Sequence, residues 1–513
     1  MSDLRLAGLL AGLSLAADLG MGDEPEKAVR TCLIAVAFSR RLGLAEEDVA
    51  DVYYTALLQH VGCTGGAHDL ADVFGDDLAA NHAGDLTNFA DPRDILRTWL
   101  REVAPHAGAA GRLKVLAATA RTSRRLDTAV VKADCEVARQ AARRLDLPAA
   151  VQRAVHESLE WWNGKGGPQG LAGEGIALPA RIVTLASKAE LFHRVGGVEL
   201  AAEAVRRCSG GYFDPALVET FVQGADELLA DPGGGDPWTA VLAAEPAPVR
   251  LIGEVGLDRV ATVFGELADL KAPFLHGHAA GVARLAEAAG RELGIAGKEL
   301  AGLRCAALLH DLGRVAVPST VWEKPGPLSS GEWERVRLHA YHSERILSRS
   351  EGLSEIAPLA GMHHERLDGT GYHRAATSKT IPMPARVLAA ADVFQALTAD
   401  RPHRPAVGAE QAAKILADEA AAGRLDAEAV GAVCSAAGEA RPAARREWPA
   451  GLTAREVDVL RLLARGLSIK QIARELVIAP KTAEHHVQHI YAKAGVSTRA
   501  SAAVFAMEHD LLA

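Results

Sequence analysis

Apolar residues recur along this chain at intervals of three and four. Leu300, Leu303, Ala307, Leu308 and Leu309 form one such stripe, and Val457, Leu460, Leu463 and Ala464 form another. This spacing lays one apolar face along a helix. Alternation with a period of two is rare, so the pattern predicts a nearly all-α protein. Leu6 to Ala17 is an apolar run between Arg5 and Asp18 with no clear small-residue cleavage site, and it reads as a buried first helix. No apolar run reaches about 18 residues, so no membrane-spanning helix is expected.

Two interruptions divide the helical pattern. Asp231-Pro-Gly-Gly-Gly-Asp-Pro237 cannot continue a helix, and residues 436–451 (AAGEARPAARREWPAG) mix Pro, Gly and Arg. Both read as linkers. They predict blocks over 1–230, 238–435 and 449–513, which suits 513 residues at about 100–200 per domain.

The first two blocks repeat one another. TALLQHVGC (55–63) matches AALLHDLGR (306–314), and NGKG (163–166) falls on DGTG (368–371). LPARIVTLAS (178–187) matches MPARVLAAAD (383–392), and GGYFDP (210–215) matches AGRLDA (422–427). Matches in one order imply two copies of one unit. The copies share an apolar skeleton and differ in ionisable groups. The second has His310-Asp311, His363-His364 and Asp392 where the first has Gln59-His60, Ser158-Leu159 and Ser187. The first copy is therefore expected to keep the fold without the site, to bind no metal, and to serve dimerisation or signal input.

Composition narrows the function. Hydrophobic residues make up 49% and charged residues 24%, which excludes wholesale disorder. Six scattered cysteines without a CxxC pair argue against a disulfide scaffold or a zinc finger and fit a reducing cytoplasm. The net charge is −9, so nucleic-acid binding would be confined to a small region.

Seven residues of the middle block are candidate metal ligands: His278, His310, Asp311, His339, His363, His364 and Asp392. Successive gaps of 32, 29, 24 and 28 residues each span about one helix and a connection. Each group can thus project inward from a different helix of a bundle. Imidazole with carboxylate suits Fe, Mn or Zn over Mg or Ca. The set exceeds what one tetrahedral ion needs, and an Asp can bridge two ions about 3.5–4 Å apart.

LLHDLGRVAVP (308–318), HHERLDGTGYH (363–373) and ARVLAAADVFQALTADRPHR (385–404) resemble the HD-GYP branch of the HD-domain metal phosphohydrolases. The resemblance covers about residues 255–435, and DLKAPFLHGHAAGVARLA (269–286) resembles the family's first helix. It implies a two-metal centre, with Fe or Mn favoured, that hydrolyses a cyclic dinucleotide, typically cyclic di-GMP. The seven residues above would be its ligands, with Asp311 the bridge. Asp311 and Arg314 would be catalytic, and Arg314, Lys324, Arg401 and Arg404 would hold phosphates. Four positions depart from the family pattern. Arg314 replaces the lysine of HDxGK, His373 the proline of GYP, and His403 the tyrosine of an RPYR-like stretch. Phe274 stands where some members carry a Glu for a third metal, so two metals are expected. Turnover of the nucleotide and sensing of nucleotide, metal or redox state without turnover both stay open.

The last block is dense in helix punctuation. Thr453 with Glu456 makes a capping box, Gly466 ends that helix, Ser468 caps the next, Pro480 opens a third and Gly495 stops it. A short helix, a turn and a polar helix make a helix-turn-helix. The block has eight Lys+Arg against six Asp+Glu, so it alone is basic. It resembles the LuxR-type (NarL-like) DNA-binding domain over almost its whole length. That implies a four-helix domain, a homodimer, and DNA contacts from Lys470, Lys481, Thr482, His485, His486, Gln488, His489 and Lys493. Ala479 replaces the family's usual Ser before the proline, removing a cap worth roughly 1 kcal/mol. The chain as a whole is expected to be all-α: two tandem HD-type bundles, the first degenerate, and a helix-turn-helix domain.

Overall fold

The computed structural model describes residues 4–88, 92–103, 125–230, 235–438 and 448–512. Most of each expected linker, 231–234 and 439–447, lies outside them. The fold is all-α: among the described residues the strands are the antiparallel pair Leu4–Arg5 and Leu251–Ile252. No helix of the described residues is long and apolar enough to cross a membrane. The chain forms two units, Met1–Gly256 and Leu257–Ala513. The Pro237–Ala244 helix, expected to open the second block, packs with the first unit. Buried hydroxyls need acceptors, and this segment supplies them: Tyr53 donates to Val241 O at 3.0 Å and Tyr54 to Glu245 at 2.9 Å.

In the first unit the apolar run is a core helix, Leu6–Gly20, with Leu6, Leu9, Leu10, Leu13 and Leu15 all buried. The duplication extends below the level of the motifs. Asp18 and Asp269, 251 positions apart, are both buried and accept the backbone N–H of Ala28 at 3.1 Å and Ala279 at 3.0 Å. Glu160 and Glu365 each gather backbone N–H groups of the loop that follows: Gln169, Gly170 and Leu171 in one, Arg374 and Ala376 in the other. Arg181 meets Asp214 at 2.8 Å, as Arg386 meets Asp426 at 2.9 Å. At Gly62 and Gly313 a Cβ would stand 2.0 Å from the carbonyl oxygens of Asp134 and His339. Both copies therefore need glycine where a short turn runs against a helix.

The second unit ends in the four helices Ala454–Ala464, Ile469–Glu475, Pro480–Ala494 and Arg499–Glu508. The expected box at Thr453/Glu456 forms, Ser468 caps the next helix as expected and does so in a box with Gln471, and Ala479 offers no side-chain cap. This domain contacts the HD block through one corner. His276 Nδ1 lies 2.6 Å from Ala464 O, Gly466 packs on Pro273, and Gly277 faces Leu512. Gly277 has φ 82° and is the N-cap of the helix that begins at His278.

The turn between the second and third helices places Val477 at φ 52° with 91% of its surface exposed. A β-branched residue is strained there and gains no burial in return. Val477→Gly is expected to raise stability by about 1 kcal/mol. A denaturation midpoint equal to or below wild type would contradict this.

Candidate metal centre and helix-turn-helix

The seven expected ligands lie together. His278 opens the His278–Glu292 helix, His310-Asp311 follows Gly297–Leu309, and Asp392 sits within Met383–Thr398. His339 rides on Ser330–Leu347, whose start is fixed by the Ser329/Glu332 capping box. Asp311 is at the middle. Its Oδ2 is 2.9 Å from His310 Nε2 and 3.2 Å from His278 Nε2, and its Oδ1 is 3.2 Å from His339 Nε2 and 3.5 Å from His363 Nε2. Asp392 adds Oδ1 at 3.2 Å from His278 and Oδ2 at 3.7 Å from His364 Nδ1. Two donor groups result, His278/His310/Asp311 and His339/His363/His364.

Local hydrogen bonds aim the rings. The Nδ1–H of His310 donates to Ala307 O at 2.7 Å, that of His363 to Ala360 O at 2.7 Å, and that of His339 to Val336 O. His278 Nδ1 meets Gln395 Oε1. A ring held this way presents an Nε2 lone pair to the centre. His278 Nε2, His310 Nε2 and Asp311 Oδ1 are buried without a hydrogen-bond partner. Such orphaning is costly unless a cation completes the site. The donor separations match those of neighbouring ligands around a transition metal with bonds near 2.1 Å, about 3.0–3.4 Å. The donor set therefore fits divalent metal.

Charge agrees with that fit. Burial alone would raise the Asp311 carboxyl, but Arg314, His310 and His278 outweigh it and hold it well below the usual carboxylate range. Burial likewise opposes ionisation of Asp392, and His278 and His364 reverse it. Burial pushes His339 down to about 4, keeping the ring neutral as a ligand must be.

A cavity of about 690 Å³ opens over the centre, with His364, Tyr372, Trp322, Arg314, Lys324 and Arg401 among its walls. Arg314 is 6% exposed, contacts Asp311 Oδ2 at 2.7 Å and stacks 5.2 Å from the Trp322 ring centre. Its Nε and one terminal nitrogen have no partner. Arg401 lies 5.1 Å over Phe274. Burial and the nearby Arg314 lower its pKa to about 10. The other two expected phosphate contacts are already engaged. Lys324 pairs with Glu332 at 2.7 Å, and Arg404 spends its guanidinium on the carbonyls of Ala396, Leu397 and Pro405. Sequence reasoning missed Gln395, Trp322 and Tyr372. Gln395 stands three positions after Asp392, on the same helical face, which was a readable signal. Trp322 lies outside every motif and left none.

In the last domain Lys470, Lys481, Thr482, His485, Gln488 and His489 are exposed, and His486 is half-buried. Val487 and Ile490 turn into the domain core. Lys493 departs from expectation, because its ammonium is turned back to Glu456 at 2.7 Å and Gly451 O at 3.0 Å.

The HD domain family matches residues 262–429, and the family of bacterial regulatory proteins of the luxR type matches residues 450–506. The chain is 30% identical over 414 residues to the 3'3'-cGAMP-specific phosphodiesterase 3 of Vibrio cholerae, covering 80% of this chain and 90% of that one. That span exceeds the second and third blocks together, so it takes in much of the first. It is also 37% identical over 135 residues to the cyclic di-GMP phosphodiesterase response regulator RpfG of Xanthomonas campestris, covering 25% of this chain and 36% of the relative. The crystal structure of the V. cholerae cyclic GMP-AMP phosphodiesterase V-cGAP3 superposes with a TM-score of 0.58 at 26% identity, covering 86% of this chain and 99% of that one. With a centre that fits divalent metal and a luxR-type domain in the same unit, this chain belongs to the HD-GYP family of metal-dependent phosphohydrolases and joins to it a LuxR-type DNA-binding domain.

Proposed function

We propose that the chain is a DNA-binding regulator whose HD-GYP block hydrolyses a cyclic dinucleotide. The observation that carries this is the pair of donor groups sharing Asp311 beneath a cavity with cationic and aromatic walls. At about 690 Å³ that cavity is within the range of small-ligand sites, about 300–1,000 Å³. Two divalent ions, Fe or Mn from this donor set, would supply Lewis acidity toward a phosphodiester and lower the pKa of water. The chain's own residues do the rest. His278, His310, His339, His363, His364, Asp311 and Asp392 hold the ions. The unpartnered nitrogens of Arg314, together with Arg401, hold phosphoryl oxygens. Trp322 and Tyr372 offer ring faces to the bases and keep water out.

The test is protein purified anaerobically without chelator, assayed for metal and for hydrolysis of cyclic di-GMP and 3'3'-cGAMP. About two Fe or Mn per chain and linear products are expected. Tight nucleotide binding without products would favour the second reading, a sensor, which the Arg314 contact with Asp311 supports by crowding the bridge. A metal-free protein would remove the basis of both.

DNA binding belongs to residues 449–513, acting as a homodimer through the Pro480–Ala494 helix. Lys481, exposed in its first turn, is placed for a phosphate, and His485 and Gln488 for base edges. Lys481→Ala is expected to weaken binding of all sequences alike and to reduce the salt slope by about 1 per subunit. An unchanged slope would rule out the phosphate contact.

A further inference from the structure

The first unit keeps the scaffold of the metal site without its ligands, and a cation of its own stands there. Lys27 occupies the register of His278, 251 positions earlier. Its side chain is 2% exposed, and its ammonium pairs with Asp23 at 2.6 Å and with Asp85. Beside it remains a cavity of about 200 Å³. Leu70, Trp99 and Val130, which pack together in one apolar cluster, form part of the wall, and Lys188 and His60 are among its polar groups.

Lys188 lacks what Lys27 has. Its ammonium donates to the carbonyl oxygens of Asp85 and Thr87, and no carboxylate stands within ion-pair distance among the described residues. Burial presses its pKa down, and Cys208, Asp85 and Asp94 offset that only in part. His60 is 9% exposed, and its Nε2 has no hydrogen-bond partner. The Trp99 indole N–H is likewise buried and unpartnered. A buried polar group left so costs about 1–3 kcal/mol. Two such groups on one cavity, with the Lys188 ammonium and apolar walls beside them, describe a binding site for a ligand with one charged end. Lys188, which lines the cavity without an ion pair, calls for a negative end. The volume is less than a third of that over the metal centre, which is too small for the cyclic dinucleotide proposed there.

We propose that this cavity is a second ligand site, for a small carboxylate with an aromatic or branched apolar body, its carboxylate on Lys188 and His60 and its body against Trp99, Leu70 and Val130. The first copy of the duplication is then a sensor of a small organic acid, built where the second holds metal.

The test uses the full-length chain with three isosteric probes: benzoate, neutral benzamide and cationic benzylamine, titrated by calorimetry. Benzoate is expected to bind once per chain, at least about tenfold more tightly than benzamide, with no binding of benzylamine. Tenfold corresponds to about 1.4 kcal/mol. Benzoate should bind Asp311→Asn equally well, which separates this cavity from the metal centre. It should slow alkylation of Cys63, which lines the cavity, as followed by mass spectrometry of that peptide. Lys188→Met should abolish binding. Leu70→Trp, which leaves the charges and fills the apolar end, should do the same and guards against misfolding of the first variant. Equal affinity for benzoate and benzamide, binding that survives both variants, or no binding of benzoate would each overturn the proposal.

Discussion

Asp311→Asn is expected to lower hydrolysis of the cyclic dinucleotide by at least about 10⁴-fold and to leave less than one ion per chain. The size follows from the position. Each Asp311 oxygen faces a different pair of imidazoles, Oδ2 toward His278 and His310 and Oδ1 toward His339 and His363, all at 2.9–3.5 Å. An amide keeps one oxygen and puts a donor in place of the other, so one donor group loses its carboxylate. The negative charge that would balance bound divalent metal is lost with it. The rest of the fold barely notices, because asparagine has the same shape. Metal analysis and steady-state rates on wild type and variant check this. A variant holding two ions and hydrolysing within tenfold of wild type would remove Asp311 from the centre.

Gly313→Ala is expected to cost about 3 kcal/mol or more in stability and to strip the metal. The added Cβ would lie 2.0 Å from His339 O and 2.7 Å from both His342 Cβ and Ser343 N. Two of those atoms are backbone of the helix that carries His339, so no rotamer change relieves the clash. The turn holding Asp311 must move away from that helix, which separates the two donor groups. Gly62→Ala meets the same obstacle at Asp134 O and should destabilise the first unit while leaving metal content unchanged. Denaturant midpoints with metal analysis separate the two. A Gly313→Ala protein within 1 kcal/mol of wild type, with full metal content, would contradict the close approach.

Much of this was legible beforehand because it repeats. Helical periodicity gave the all-α class, and the doubled motifs exposed the ligands by contrast: His310-Asp311 is informative because Gln59-His60 occupies the same frame. Caps at Thr453 and Ser468 are local chemistry and could be read directly. What no motif states is which group each cation meets in the folded chain. Lys324 and Arg404 look like phosphate ligands until Glu332 and the 396–405 carbonyls are seen to occupy them. Lys493 reads as a DNA contact until Glu456, 37 positions earlier, claims it. The partner of a charge is a tertiary fact. The packing of 237–252 with the first unit is another, because buried tyrosines chose their acceptors 188 and 191 residues away.

The corner where the DNA-binding domain meets the HD block has a thermodynamic consequence. Pro273, His276 and Gly277 are its foothold, and the next residue, His278, faces Asp311 and Asp392. Gly277 is shared: any shift that loading the centre imposes on the start of the His278–Glu292 helix is also a shift of the surface under Leu512. Linkage between two such sites is reciprocal. To the extent that loaded and unloaded centres hold the domain differently, an operator that prefers one arrangement must alter the affinity of the centre by the same factor. DNA then becomes an effector of the phosphohydrolase, and the coupling read in one direction by gel shift is readable in the other by metal or nucleotide titration with and without operator.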